Sequence, residues 1–205
     1  MALTTYSDLQ TSVANYLARS DLTSQIPDFI QLAEVRLRRE IRIRQMLKLA
    51  YTTATGGDST VGLPSDFLEM RNIYLGTNPE QPLNYYSPNS FVRNTGTTVS
   101  GKPLNYTILS SSIQLAPVPD DNYQLYMLYF AAPQFLSSGN TTNTFTQQCP
   151  DLLLYGSLLE AEPYLMNDAR VATWTALYQR GMTALETADD RSEFSGQIVM
   201  KVAAQ

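Results

Sequence analysis

Histidine is absent from this chain, which removes at once the commonest general base and the commonest metal ligand. Cysteine is nearly absent: Cys149 stands alone, so no intrachain disulfide can form and nothing points to an oxidising compartment. Lysine occurs only as Lys48, Lys102 and Lys201, and charged residues make up 16% of the sequence, against about 25% in an ordinary soluble domain. No stretch approaches the roughly 18 apolar residues of a membrane span. The opening residues, MALTTYSDLQ, lack the basic-then-apolar order of a secretory leader. A cytosolic origin is the expectation.

What replaces the missing charge is uncharged polar surface and thirteen tyrosines. Interfaces are enriched in tyrosine and depleted in lysine, so the composition suits a subunit that meets other protein surfaces. At 205 residues the chain is long enough to bury a sizeable core without staples, about 70% of its unfolded surface.

The hydrophobic period changes twice along the chain. Residues 6–19 are helical, with Leu9, Val13, Tyr16 and Leu17 on one side, and Thr5 and Asp8 have the spacing of a capping box. A second helix starts near Pro27, a residue tolerated in a first turn. Strand candidates then follow at 49–53, 59–63, 67–75, 82–86, 104–109, 113–115 and 123–130, separated by Gly-, Pro- and Asp-rich turns, with a short helix at 87–93. Both faces of 123–130 are apolar, which marks it as central or covered. Residues 137–148 read as a polar loop. From Pro150 the helical period returns in "PDLLLYGSLLEAEPYL", apolar nearly all round and so buried on all sides, with a break expected at Pro163. Asn167 and Asp168 cap a last helix whose stripe is Val171, Trp174, Tyr178, Met182 and Leu185. The expected fold is α+β: a helical bundle formed by N- and C-terminal helices, with an inserted β-rich module and an extended C-terminal tail. The corresponding segments are 1–48, 49–133, 134–188 and 189–205.

One stretch stands apart. "IPDFIQLAEVRLRREIRIRQML" holds five of the eleven arginines, Arg36, Arg38, Arg39, Arg42 and Arg44, in a chain whose formal charge is -5. Residues 34–48 carry six basic and two acidic side chains, so the remainder of the chain sums to -9. Read as one continuous helix, Ile26, Phe29, Ile30, Ala33, Leu37, Ile41 and Leu47 form the core face. Arg36, Arg38, Arg39 and Arg42 then lie opposite, interleaved with Leu32, Val35, Ile43 and Met46. Three readings follow: a solvated face with Glu34 and Glu40 as local partners, a subunit contact, or a nucleic-acid-binding face. Arginine mixed with aliphatics favours protein contact, because guanidinium pairs bidentately and is less costly to desolvate than ammonium. A pI near 4.7 disfavours a phosphate-binding role.

Catalytic constellations are scarce. The carboxylate pairs Asp66 with Glu69 and Glu160 with Glu162 sit in no acid–base motif, and no serine has a histidine to activate it. Cys149 precedes Pro150 at a helix start, where a dipole lowers thiol pKa values; a buried, inert cysteine is the simpler reading. The expectation is no enzyme, no metal and no cofactor. Phe194, Ile198, Val199, Met200 and Val202 make the last residues too apolar for a free end, and 197–202 is a short strand candidate fit to be donated to a partner.

These blocks, together with "LPSDFLEMRNI", "YTILSSSIQLAPVPDDNYQLYMLYFAAP" and "PDLLLYGSLLEAEPYLMNDARVATWTALYQRGMTAL", resemble the phage adaptor family, the head-to-tail connector or head-completion proteins of short-tailed phages. The resemblance covers about residues 6–188. It implies a structural protein of the virion neck, made in the bacterial host cytoplasm. Such a protein forms a twelve-membered ring under the portal, extends the DNA channel and presents a platform to the tail nozzle. Its partners are then further copies of itself, the portal, the nozzle and double-stranded DNA passing without sequence-specific binding, with no membrane. By the same resemblance the C-terminal tail docks on the portal or an adjacent subunit. The charge balance of the sequence adds the expectation that the arginines face acidic surface of a neighbouring subunit or of the portal. A nucleic-acid-binding module using the arginines, or another ring-forming tail (nozzle) subunit, are the alternatives.

Overall fold

The computed structural model describes residues 3–19, 21–94, 99–165 and 169–193. It is an α+β protein whose chain divides into two compact units, 1–46 with 133–205, and 47–132.

The first unit is helical. Helix α1 (Tyr6–Leu17) opens with the expected capping box: the Thr5 hydroxyl accepts from the Asp8 amide at 3.2 Å, and the Asp8 carboxylate accepts from the Thr5 amide at 3.0 Å. These bonds satisfy two otherwise unpaired donors. Leu9, Val13 and Leu17 are buried, whereas Tyr16, placed on the same stripe by sequence, is exposed. Helix α2 (Ile26–Glu40) buries Ile26, Phe29, Ile30, Ala33 and Leu37 as the period requires, and Glu34 with them. It stops at Glu40, shorter than the continuous helix expected through Leu47. Ile41 is extended (φ -104°, ψ 135°), residues 44–46 form one turn of 3₁₀ helix, and Leu47 begins a strand.

The segment expected to be a loop contains helix α4 (Thr144–Gln148); helix α3 (Pro88–Asn94) belongs to the second unit. The Asn143 side chain caps α4 by accepting from the amides of Phe145 and Thr146 at 3.0 and 3.1 Å. Helix α5 (Pro150–Glu160) packs against α1, α2, α4 and the last helix. It buries Leu152, Leu153, Leu154, Gly156, Ser157 and Leu158, as an all-apolar circumference demands. Its one buried hydroxyl, that of Ser157, donates to the Leu153 carbonyl at 2.6 Å. The helix breaks at Ala161, before Pro163, and α6 (Glu162–Leu165) resumes for one turn. Helix α7 (Arg170–Glu193) buries Trp174 and Tyr178. It runs past Ala188, where the tail was expected to begin, because Thr187 and Asp189 to Arg191 hold no breaker. The expected cap at Asn167 and Asp168, and the strand candidate at 197–202, lie outside the described residues.

The second unit is a pair of four-stranded sheets. One has the order β1 (Leu47–Ala54), β8 (Tyr123–Ala131), β3 (Phe67–Leu75), β4 (Gln81–Pro82). The other has the order β2 (Thr60–Gly62), β7 (Ser112–Ala116), β6 (Asn105–Leu109), β5 (Asn84–Tyr85). Their inner faces meet in one core, with Ile73, Leu75, Leu125 and Met127 from the first sheet and Val61, Tyr106, Ile113 and Leu115 from the second. The candidate strand 82–86 is two strands in different sheets: the chain crosses at Leu83, which is buried in that core. Strand β8 is central, and its second apolar face is covered by tyrosines. Tyr126 stacks on Tyr74 (5.0 Å, 10°) and meets Tyr51 edge-on (5.1 Å, 82°), each of them its direct cross-strand neighbour. Helix α3 (Pro88–Asn94) packs on β6.

Candidate subunit-contact site

The early end of α2 separates the five arginines. Arg36, Arg38 and Arg39 are on the helix; Arg42 and Arg44 follow it, and the core face stated for a continuous helix ends at Leu37. Ile41, Ile43 and Met46 are buried, so of the four aliphatics expected among the arginines only Leu32 and Val35 remain at the surface.

Four of the arginines have partners within the helical unit. Arg36 pairs with Glu160 of α5 at 2.5 Å and lies 5.9 Å from the Tyr178 ring. Arg38 donates to the Pro133 carbonyl and sits over the Phe135 ring, its guanidinium carbon 3.4 Å from the ring centroid. Arg42 folds back over the end of α2 and donates to the carbonyls of Arg38 and Ile41 at 2.8 and 2.7 Å, where the helix leaves acceptors unpaired and its dipole favours a cation. Arg44 donates from its backbone to the Asp189 carboxylate at 2.9 Å and from its guanidinium to the Ser192 carbonyl at 2.7 Å, closing the end of α7 in the same way. Arg39 is exposed and has no hydrogen bond or ion pair among the described residues. It shares a stripe of α2 with Asp28, Leu32 and Val35, three and four residues apart; Leu32 is 49% exposed.

Among the described residues neither glutamate forms the surface ion pair with an arginine that was expected of it. Glu40 accepts from the Tyr178 hydroxyl at 2.6 Å. Glu34 is 1% exposed. Its carboxylate accepts from the Leu136 amide at 3.1 Å and from the Asn143 side chain at 2.6 Å. Burial pushes its pKa up to about 7, against the pull of those two donors and of Arg38. Burial also lowers the Arg38 pKa, opposed by Glu34. Together Glu34 and Arg38 fasten the returning segment, residues 133–143, to α2. Sequence reasoning missed this clamp. Its visible trace is an acid at a core position of α2 and the cap pattern Asn143 to Thr146 inside an apparently featureless loop.

The other candidates resolve into structural roles. Cys149 is buried, and burial followed by the Asp151 charge pushes its thiol up to about 12, the reverse of an activated nucleophile. The Asp66 carboxylate is taken by Lys48 at 2.6 Å and by the Tyr129 hydroxyl at 2.8 Å, and Glu160 by Arg36. Among the described residues no cluster of three or more His, Cys, Asp or Glu side chains is placed to hold a metal ion, and no helix is long and apolar enough to cross a membrane. The tail residues Phe194, Ile198, Val199, Met200 and Val202 lie outside the described residues.

No curated protein matches this chain. The sequence model of the SU10 adaptor protein does, over residues 4–201, beyond the limit of 188 to which the resemblance was read. With both sheets, every described helix and the arginine stretch inside that match, the chain belongs to the SU10 adaptor protein family, a family of phage adaptor proteins.

Proposed function

We propose that this adaptor is a non-enzymatic subunit of the virion neck that forms a ring, of twelve copies by family resemblance, between portal and tail nozzle and extends the DNA channel. Family membership supports the virion role, and one observation carries the contact: the α2 stripe of Asp28, Leu32, Val35 and Arg39, in which a guanidinium with no partner among the described residues stands beside a half-exposed leucine. In a ring each subunit is donor on one side and acceptor on the other. A chain whose charge outside residues 34–48 sums to -9 offers acidic surface to receive that guanidinium. Buried guanidinium–carboxylate pairs fix register more than they add stability.

The internal partners of Arg36, Arg38, Arg42 and Arg44 move the contact role toward Arg39. They also weigh against the nucleic-acid reading, which needs guanidinium groups free to neutralise phosphates. Replacing Leu32 by aspartate together with Arg39 by glutamate is expected to abolish ring assembly, followed by analytical ultracentrifugation, while the melting temperature of the subunit stays within a few degrees. Rings of normal mass and yield from that double variant would contradict the assignment.

A further inference from the structure

A cleft of about 220 Å³ opens beside the last turns of α7, between that helix and the extended residues that follow α2. Ile41 and Ile43 line one wall and the half-buried Met182 and Leu185 the other. For scale, a dry cavity of about 150 Å³ accepts a benzene ring, so a leucine side chain has room here. The rim is acidic, with Glu40, Glu186, Asp189 and Asp190 against Arg42 alone. Two of these carboxylates are engaged, Glu40 by the Tyr178 hydroxyl and Asp189 by the Arg44 amide. Glu186 and Asp190 are exposed and have no hydrogen bond or ion pair among the described residues.

The same helical unit carries a second surface of complementary chemistry. On α2, Leu32 is half-exposed, and Arg39 has no partner among the described residues. The two surfaces match in kind: an aliphatic side chain for an aliphatic cleft, and a guanidinium for two carboxylates. They match in length as well. Leu32 and Arg39 lie about 10 Å apart along their helix, and Met182 and Asp190 about 12 Å apart along theirs, at 1.5 Å per residue. An α2 laid beside α7 in the same direction therefore brings Leu32 to the cleft and Arg39 to the carboxylate end of its rim. Stripe and cleft share no residue, so each copy donates with one and receives with the other. That is the head-to-tail relation by which rings close.

We infer that this cleft is the acceptor for the α2 stripe of a second copy, seating its Leu32 among Ile41, Ile43, Met182 and Leu185 and its Arg39 against Glu186 and Asp190. The inference rests on the α2 contact proposed above and names the other half of it.

Charge exchange tests it. Arg39→Glu alone, and Glu186→Arg with Asp190→Arg alone, are each expected to lower the assembled fraction by about ten-fold or more in analytical ultracentrifugation, because like charges then face each other across the contact. The melting temperature of each subunit stays within a few degrees. All three substitutions in one chain are expected to restore assembly, since the exchanged charges meet again between copies. Full assembly of Arg39→Glu would overturn the α2 contact and this inference together. Assembly lost in Arg39→Glu and not recovered in the triple variant would leave the α2 contact standing and overturn its pairing with the cleft. A mixing experiment reads the pairing without changing any charge. In a Cys149→Ala background, Leu32→Cys protein is mixed with Leu185→Cys protein and oxidised mildly, with Leu32→Cys and Thr187→Cys as control on an exposed position of the same helix. Docking holds the first pair of thiols at high effective concentration, so the mixed disulfide is expected at about ten-fold the control yield. Equal yields overturn the inference.

Discussion

At the scale of single residues, Glu34 gives the subunit a pH dependence of its own between about 4.5 and 7. Its folded pKa of about 7 lies above the ordinary value of 4.5, so between these two values the folded state holds a proton that the unfolded state has released. Stability therefore falls as pH rises from about 4.5 to 7 and is flat above that. The full effect is about 3 kcal/mol at 1.36 kcal/mol per unit. The chain has no histidine, so no imidazole obscures this window. Urea midpoints measured between pH 5 and 8 are expected to show the slope in the unsubstituted protein and to lose it in Glu34→Gln. An unchanged slope in the variant would locate the titration elsewhere. The burial of Glu34 was not legible in the sequence, because the donors that make it tolerable, Leu136 and Asn143, lie about a hundred residues away.

At the scale of elements, the arginine stretch is a helix followed by its own cap. Ile41 and Ile43 point inward while Arg42 and Arg44 turn away, a period of two that was present in the letters "IRIR" and was overridden by reading the helical period through it. Arg38→Ala and Arg42→Ala are consequently stability variants. Each removes a charge-assisted bond to a main-chain carbonyl and is expected to destabilise the subunit by about 1–3 kcal/mol in chemical denaturation. Loss of less than a few tenths would show that these bonds are idle. The close contact of α2 and α5 is the second point. A Cβ at Gly156 would lie 3.2 Å from the Ala33 Cβ and 3.4 Å from the Tyr178 ring, and the Ala33 methyl has no rotamer by which to yield. Gly156→Ala is therefore expected to lower stability by about 1–3 kcal/mol through overpacking, in spite of the gain of about 1 kcal/mol in helix propensity. A more stable variant would mean that α2 and α5 separate freely. Element type and order were readable where the period was long, as in α5 and β8, and failed where one capping side chain decides the structure, as Asn143 does for α4.

At the scale of the whole molecule, an acidic chain with few lysines, many tyrosines and most of its arginines committed internally keeps little charge free for contact. The α2 stripe around Arg39 is the contact proposed here, and the proposed ring gives each such stripe a neighbour. The central claim is that copies of this chain assemble on a portal. The most direct measurement is light scattering on a size-exclusion column, with the protein alone and mixed with its cognate portal. The account predicts joint elution at the mass of a portal plus one ring of this subunit, lost with the Leu32→Asp and Arg39→Glu pair. Separate elution of the portal and a folded subunit, at concentrations well above those of assembly, would contradict it.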